Sequence, residues 1–168
     1  MVKKKGGKLK YEPAPDLQER MEEMIRLLGM THIKDGRVKC LRSFGSSSRY
    51  TIARCHALGK LMQHAMETKA FYAIEFLELF DKQSKIDQDK TIIHELMHIP
   101  KSFGGGFRHH DYVCEKNVDI MHEKFESMKL KEKQFLPSEI VETDKDFSIE
   151  LERKEFPFEK MKRLSRWF

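Results

Sequence analysis

The sequence predicts an α+β domain in which helices pack on one face of a small, twisted, mostly antiparallel sheet. Apolar residues recur at helical spacing in several segments, whereas the run from Phe71 to Leu79 is rich in the aromatic and branched residues typical of strands. Hydrophobic residues make up 39% of the 168 residues, which is enough to bury one core.

End signals predict where the elements begin and stop. Asp16 is a typical helix N-cap residue, and Gly29 is typical of the position at which a helix ends. The pair Asp35-Gly36 between two apolar runs is typical of a hairpin turn. The predicted elements are a helix over 16–28, strands over 30–33 and 38–44, a helix over 49–66, a strand over 71–79, a helix over 87–99, a loop over 101–107 and a helix over 112–130.

Composition divides the chain into three predicted parts. Residues 1–15, with their lysines, glycines and two prolines, are predicted to be a flexible basic lead. Residues 16–130 hold the predicted domain. Residues 131–168 form a C-terminal arm of unknown role, in which we expect one short strand or extended arm and a terminal helix.

Cysteine content, hydropathy and charge limit the setting and the partners. Three cysteines without a C-x-x-C pair predict free thiols, so we expect a reducing cytoplasm. No apolar run approaches 18 residues, and none follows the basic N-terminus, so we expect neither a membrane partner nor a secretory signal. The net charge of +5 is concentrated at the two ends, which makes nucleic acid a candidate partner, although such charge more often belongs to solvated tails.

The segment from His94 to His98 reads H-E-L-M-H and carries the strongest chemical signal. Residues i and i+4 lie on one face of a helix, so the two histidines can aim their imidazoles at one point. Neutral imidazole nitrogens are typical zinc ligands, and Glu95 is placed to take a proton from zinc-activated water and pass it to a leaving amine. The spacing predicts a peptidase with one zinc ion and Glu95 as general base and then acid; the alternative is a solvated helix face without metal.

A catalytic zinc ion takes three protein ligands and keeps one position open, so a third ligand is needed. The three glycines at 104–106 would let the chain fold back to the helix. His110 is the favoured third ligand, and His109 or a carboxylate such as Glu115 are the alternatives.

The 17 residues from His94 to His110 resemble a family of small predicted zinc metallopeptidases of archaea and phages. The shared pattern is H-E-L-x-H-I-P, followed by a Phe-Gly-Gly loop and an Arg-x-His. A looser similarity extends over about residues 16–130. The resemblance implies a zincin-like domain in which His110 is the third zinc ligand. A fainter likeness links the chain to the SprT-like proteases, which digest proteins crosslinked to DNA and also carry H-E-x-x-H.

In zincin-type folds an edge strand above the metal helix pairs with an extended substrate backbone. The strand that begins at Phe71 is the candidate here, with Ile74 and Phe76 as substrate-strand residues; the alternative is a purely internal strand. Arg108 and Tyr112 flank the presumed third ligand, and each could stabilise an oxyanion or anchor the loop.

The predicted activity is zinc-dependent hydrolysis of peptide or protein substrates. Two alternatives stay open at this point. One is a DNA-associated protease of the SprT-like kind, and the other is a zinc-binding interaction module without proteolytic turnover.

Overall fold

Four helices and four strands make up residues 8–135, the part of the chain that the computed structural model describes. In chain order they are β1 (Lys10–Pro13), α1 (Pro15–Leu28), β2 (Val38–Phe44), β3 (Ala53–Ala57), α2 (Lys60–Ala65), β4 (Tyr72–Leu77), α3 (Lys85–Met97) and α4 (Glu115–Phe135), with a 3₁₀ turn at Phe80–Lys82 before α3. The predictions for residues 1–7 and 136–168 lie outside the described residues.

The sheet has the strand order β1-β2-β4-β3 and is mixed. The pairs β1–β2 and β3–β4 are antiparallel, whereas β2–β4 is parallel. The predicted α+β class is confirmed. The two edge strands of the sheet are β1 and β3, whereas β4 is an interior strand. Only an edge strand has backbone groups free to pair with another chain.

The core lies between the sheet and three of the helices. Helices α1 and α3 contact the sheet, and both pack against α4. The largest fully buried side chains include Met21 and Met24 of α1, Tyr72, Ile74 and Phe76 of β4, Ile92, Ile93 and Leu96 of α3, and Phe125 of α4. The apolar side of α3 is therefore fixed against the core, and this sets where its remaining side chains point.

Several predicted elements are confirmed with shifted ends. Helix α1 ends at Gly29 as predicted, in the left-handed conformation with φ 65°. Its N-cap, however, is Ala14, and the Asp16 carboxylate instead accepts a hydrogen bond from Arg42 at 2.6 Å. Helix α3 begins before residue 87 because the Ser84 hydroxyl caps it. The predicted strand over 71–79 is β4, and the predicted helix over 112–130 is α4.

The helix predicted over 49–66 is wrong in its first half, which is strand β3. Side chains along β3 alternate between half-buried and exposed, as in a strand with one covered face. Cys55 is compatible with the helical and with the strand periodicity. It would lie on the apolar face of the predicted helix, and it lies on the inward face of the observed strand. Only the six residues of α2, after Gly59, are helical.

The hairpin predicted around Asp35-Gly36 is also wrong. Residues 30–33 form turns, in which the Met30 N–H donates to the Ile25 carbonyl at 2.9 Å and the Ile33 N–H donates to the Met30 carbonyl at 2.9 Å. Met30 and Ile33 are buried, so their apolar character serves the core and not a strand. Strand β2 pairs with β4 and with β1, which lies in the predicted flexible lead.

Two simpler expectations concern thiols and membranes. Cys40, Cys55 and Cys114 are free thiols, as the absence of a paired pattern predicted. Among residues 8–135, no helix combines the length and the apolar character that crossing a membrane requires.

Candidate metal centre

Helix α3 directs two histidines into an open cleft beside strand β3. Burial of Ile92, Ile93 and Leu96 fixes the rotation of the helix, and His94 and His98 then lie on the cleft side. Their Nε2 atoms are 3.2 Å apart. The spacing of one helical turn thus brings two ring nitrogens to the same point.

Backbone hydrogen bonds orient the His98 ring. Its Nδ1 lies 2.8 Å from the carbonyl oxygen of Arg108, and the Arg108 N–H donates to the His98 carbonyl at 2.8 Å. Because a carbonyl can only accept, the proton of the neutral ring must be on Nδ1. This leaves the lone pair on Nε2, the atom that faces His94 and is available to a metal.

The glycine loop after α3 is held by a buried tyrosine of the central strand. The Tyr72 hydroxyl accepts a hydrogen bond from the Gly105 N–H and donates one to the Gly106 carbonyl, both at 2.9 Å. Gly105 has φ 87°, and a Cβ atom there would collide with the carbonyl oxygen of Leu58. Glycine is therefore required at 105, and the Tyr72 hydroxyl fixes the path of the chain toward His110.

The structure brings His110 to the first two histidines. Ligand atoms of His94, His98 and His110 all lie within 4.8 Å of one another, and the His98 and His110 ring centroids are 4.8 Å apart. The alternatives are placed differently: His109 lines the cleft but is outside this group, and Glu115 lines the adjoining cleft at the start of α4. Three imidazoles are thus in position to share one ion.

Burial keeps the first two imidazoles neutral. Loss of solvent lowers the pKa of His94 to about 4, and repulsion from His98 and His110 acts in the same direction. Burial also lowers the pKa of His98, although its hydrogen bond to Arg108 opposes this effect. Neutral imidazole is the form that binds a metal, so the chemistry of these residues fits a metal ion at neutral pH.

Glu95 is nearly inaccessible to solvent, with 6% of its surface exposed. Burial raises its pKa to about 7, and a hydrogen bond from the backbone of Cys55 only partly offsets this. The carboxyl group is thus held against strand β3, next to the two helical histidines, and can exchange a proton near neutral pH.

Strand β3 borders the site and has a free side. The Leu77 N–H donates to the Ile52 carbonyl at 2.9 Å, so these two residues form a hydrogen-bonded pair in the register of β3 and β4. Bonded and non-bonded pairs alternate in antiparallel sheets, so the backbone groups of Ala53 and Cys55 face away from β4. In the described part of the chain, no strand pairs with that side.

The predicted substrate strand is therefore corrected. Ile74 and Phe76 belong to β4, which is paired on both sides, and their side chains are fully buried in the core. A strand in this position has no free hydrogen-bonding edge with which to bind a peptide. The edge strand next to the metal centre is β3.

Arg108 and Tyr112 lie against each other. The guanidinium carbon of Arg108 is 3.2 Å from the centroid of the Tyr112 ring, a cation–π contact. Arg108 also lines the cleft that contains the three histidines, whereas Tyr112 is not among the residues that line it. The contact anchors Arg108 in the returning loop.

Sequence reasoning missed two groups that build the site. One is Tyr72, whose hydroxyl clamps the glycine loop, and the other is Gln63 of α2, whose Nε2 donates to the Gly104 carbonyl at 3.1 Å. A tyrosine at the start of an otherwise apolar strand was a usable signal, because a buried tyrosine hydroxyl requires a partner. Gln63 gave no such signal.

Fold and site together define a class: an α+β protein in which a helix and a glycine loop bring three histidines together beside a buried glutamate. The chain belongs to the family described as "Putative phage metallopeptidase", which matches residues 9–123 and so includes the whole site. This confirms the resemblance to a phage metallopeptidase family. No curated protein and no solved structure matches the chain. Membership indicates a metal-dependent peptidase, a hydrolase that binds a metal ion and acts on peptide or protein substrates.

Proposed function

We propose that the protein is a zinc-dependent peptidase in which His94, His98 and His110 bind one zinc ion and Glu95 is general base and acid. The observation that carries the proposal is the approach of three imidazole donors to within 4.8 Å of one another beside a buried glutamate. Two ligands of a tetrahedral zinc ion, each bonded at about 2.0–2.1 Å, lie about 3.3 Å apart. The 3.2 Å between the His94 and His98 nitrogens is close to that separation.

The donor set supports zinc as the ion. Three neutral imidazoles suit zinc, whereas magnesium and calcium prefer oxygen ligands. When bound, zinc would act as a Lewis acid toward water and the scissile carbonyl. The hydrogen bond from His98 to Arg108 holds the ring in the binding orientation before any ion arrives.

Glu95 supplies the proton transfers. Its carboxylate would accept a proton from the attacking water and then deliver it to the leaving amine. Burial raises the Glu95 pKa to about 7 in the metal-free protein, and a bound cation would lower it again, which favours the carboxylate form that accepts the proton.

Strand β3 would bind the substrate backbone. Its outward N–H at Ala53 and its outward C=O groups at Ala53 and Cys55 offer an antiparallel pairing partner to an extended peptide, while the Cys55 N–H donates to Glu95. Such a peptide would pass over Glu95 and the histidines, because the same strand lines their cleft. Helix α3, which carries the proposed zinc ligands, lies next to the free edge strand β3. This arrangement also supports a zincin-like assignment for the domain.

The test combines metal analysis with peptide cleavage. The zinc-loaded protein should hydrolyse members of a broad fluorescence-quenched peptide library. Glu95→Gln should retain zinc and lose about 10²–10⁴-fold in kcat, since it removes the general base. If wild-type protein with bound zinc is as inactive as Glu95→Gln on the library, the interaction-module alternative replaces this proposal.

A matched pair of variants tests which histidine is the third zinc ligand. His110→Ala should lower bound zinc by one ion per chain, whereas His109→Ala, one residue away in the same cleft, should leave the zinc content unchanged. The opposite result would reassign the ligand to His109.

The DNA-associated alternative gains no support from the family, which indicates peptide or protein substrates. The basic residues that suggested it lie mainly at 1–8 and 160–166. It predicts DNA binding that weakens steeply with salt, and the peptidase proposal does not.

A further inference from the structure

A second group of ligand-type side chains lies where α3 and α4 pack together. Asp89 of α3 and His122 and Glu126 of α4 each offer one ligand atom, and these atoms all lie within 4.8 Å of one another. Asp89 and His94 are five residues apart on α3, which is a rotation of about 140° around the helix. The group therefore lies on a different face of α3 from the three histidines.

The His122 ring is the observation that points to a ligand. Its Nε2 atom is shielded from solvent and has no hydrogen-bond partner among residues 8–135. Native proteins satisfy nearly all buried polar atoms, so an orphaned imidazole nitrogen calls for an additional partner. The His122 ring shares this group with two carboxylates, and a cation bound among them would be a partner for all three side chains at once.

Asp89 is held in position from behind by Arg20 of α1. Its side chain is nine-tenths buried, and its Oδ1 atom accepts a hydrogen bond from the Arg20 Nε at 2.6 Å. The same guanidinium donates to the Gln88 side chain and to the Lys85 carbonyl, each at 2.9 Å. Arg20 thus uses only Oδ1, and Oδ2 stays available, as in metal sites where an outer partner orients a ligating carboxylate.

Charge and helix geometry agree with a cation. Two carboxylates outnumber the single guanidinium, so the group has a net negative charge before an ion binds. His122 and Glu126 are four residues apart on α4, which places both on the face that meets Asp89. One imidazole with two carboxylates suits zinc and similar transition metals better than magnesium or calcium.

We propose that Asp89, His122 and Glu126 form a second, structural site for a divalent transition-metal ion of the zinc class, which links α4 to α3. This inference does not depend on peptidase activity. A metal bridge here would hold α4 against the helix that carries His94 and His98 and would raise the stability of the folded protein.

The test counts zinc ions in the full-length protein. After equilibration with zinc and removal of the excess, wild-type protein should contain two ions per chain, and Glu126→Gln should contain one. Glu126 is exposed, so its substitution leaves the core intact. Glu123→Gln, also exposed on α4, is the matched control and should keep both ions.

A second background isolates the new site. The double variant His94→Ala/His98→Ala lacks the first site. This protein should still bind one zinc ion, and its Tm should be higher with zinc than without. Adding Glu126→Gln should abolish both effects. The proposal would be overturned if wild-type protein contained one zinc ion and Glu126→Gln also contained one. It would likewise be overturned if His94→Ala/His98→Ala folded but bound no zinc. Loss of peptidase activity alone affects only the proposed function.

Discussion

Replacement of Glu95 by glutamine should stabilise the metal-free protein at alkaline pH while removing catalysis. Glu95 is 6% exposed, and burial raises its pKa to about 7 from 4.5. An ionised carboxylate in this position is unfavourable, because the surrounding protein solvates it poorly. Glutamine has the same shape, can still accept the hydrogen bond from Cys55, and has no charge to bury.

The magnitude follows from the two pKa values. Between pH 4.5 and about 7 the folded state holds the Glu95 proton more tightly than the unfolded chain does, so wild-type stability falls as pH rises through this window. Each pKa unit is about 1.4 kcal/mol, which gives a penalty of about 3 kcal/mol once the pH exceeds 7. In a chain of this size that is about 6–12 °C in Tm.

Thermal unfolding of wild type and Glu95→Gln in the presence of a chelator measures this penalty. At pH 8 the variant should have the higher Tm by the amount given. The difference should shrink as the pH falls and vanish below about pH 4, where Glu95 is protonated in both the folded and the unfolded state. A variant that is equally or less stable at pH 8 would show that Glu95 is better solvated than its burial indicates, and the argument for its raised pKa would fail.

Three further perturbations test how the site is built. Tyr72→Phe keeps the buried ring and removes both hydrogen bonds to the glycine loop, so zinc affinity in a chelator competition should fall about 10-fold; an unchanged affinity would mean that the Tyr72 hydroxyl does not position His110. Gly105→Ala should lose about 1–3 kcal/mol in urea unfolding because of its positive φ and the collision with Leu58, whereas Gly106→Ala, which has open space, is the control and should be nearly neutral. Ala53→Pro removes an outward N–H of β3 and should raise KM for extended peptides without unfolding the sheet; Ala57→Pro, further along the same strand, should have less effect, and equal effects would contradict substrate pairing at the metal centre.

The parts of the site that depend on local geometry were predictable from the sequence. The spacing of His94 and His98 determines their proximity on any helix, and the buried residues Ile92, Ile93 and Leu96 made that helix recognisable. The return of the chain required only that the loop be short and rich in glycine. These inferences need no knowledge of the rest of the fold.

Strand order was not predictable in the same way, because it depends on contacts between distant segments. Strand β4 was recognised, but an edge position was preferred to the internal position that it has. Its burial continues through Tyr72, Ile74, Glu75, Phe76 and Leu77, with residues on both faces covered, and this pattern is typical of an interior strand. The edge strand β3 was missed because a short segment with alternating half-buried residues also fits a helical period.

The features that make the site chemically useful oppose folding of the metal-free protein, although His94 does so only below its ordinary pKa of 6.5. Glu95 is a buried acid, His94 is desolvated to a pKa of about 4, and Gly105 adopts a positive φ in a crowded loop. They lie within one segment of the chain, the end of α3 and the glycine loop that follows it, and the surrounding core must offset their unfavourable free energy. A bound ion at the three histidines would make the contributions of His94 and Glu95 to stability favourable. The neutral His94 imidazole would gain a partner, and the nearby cation would favour the ionised Glu95 carboxylate. Metal binding at this site should therefore add most to stability where the metal-free protein is weakest, at the end of α3 and in the glycine loop that follows it.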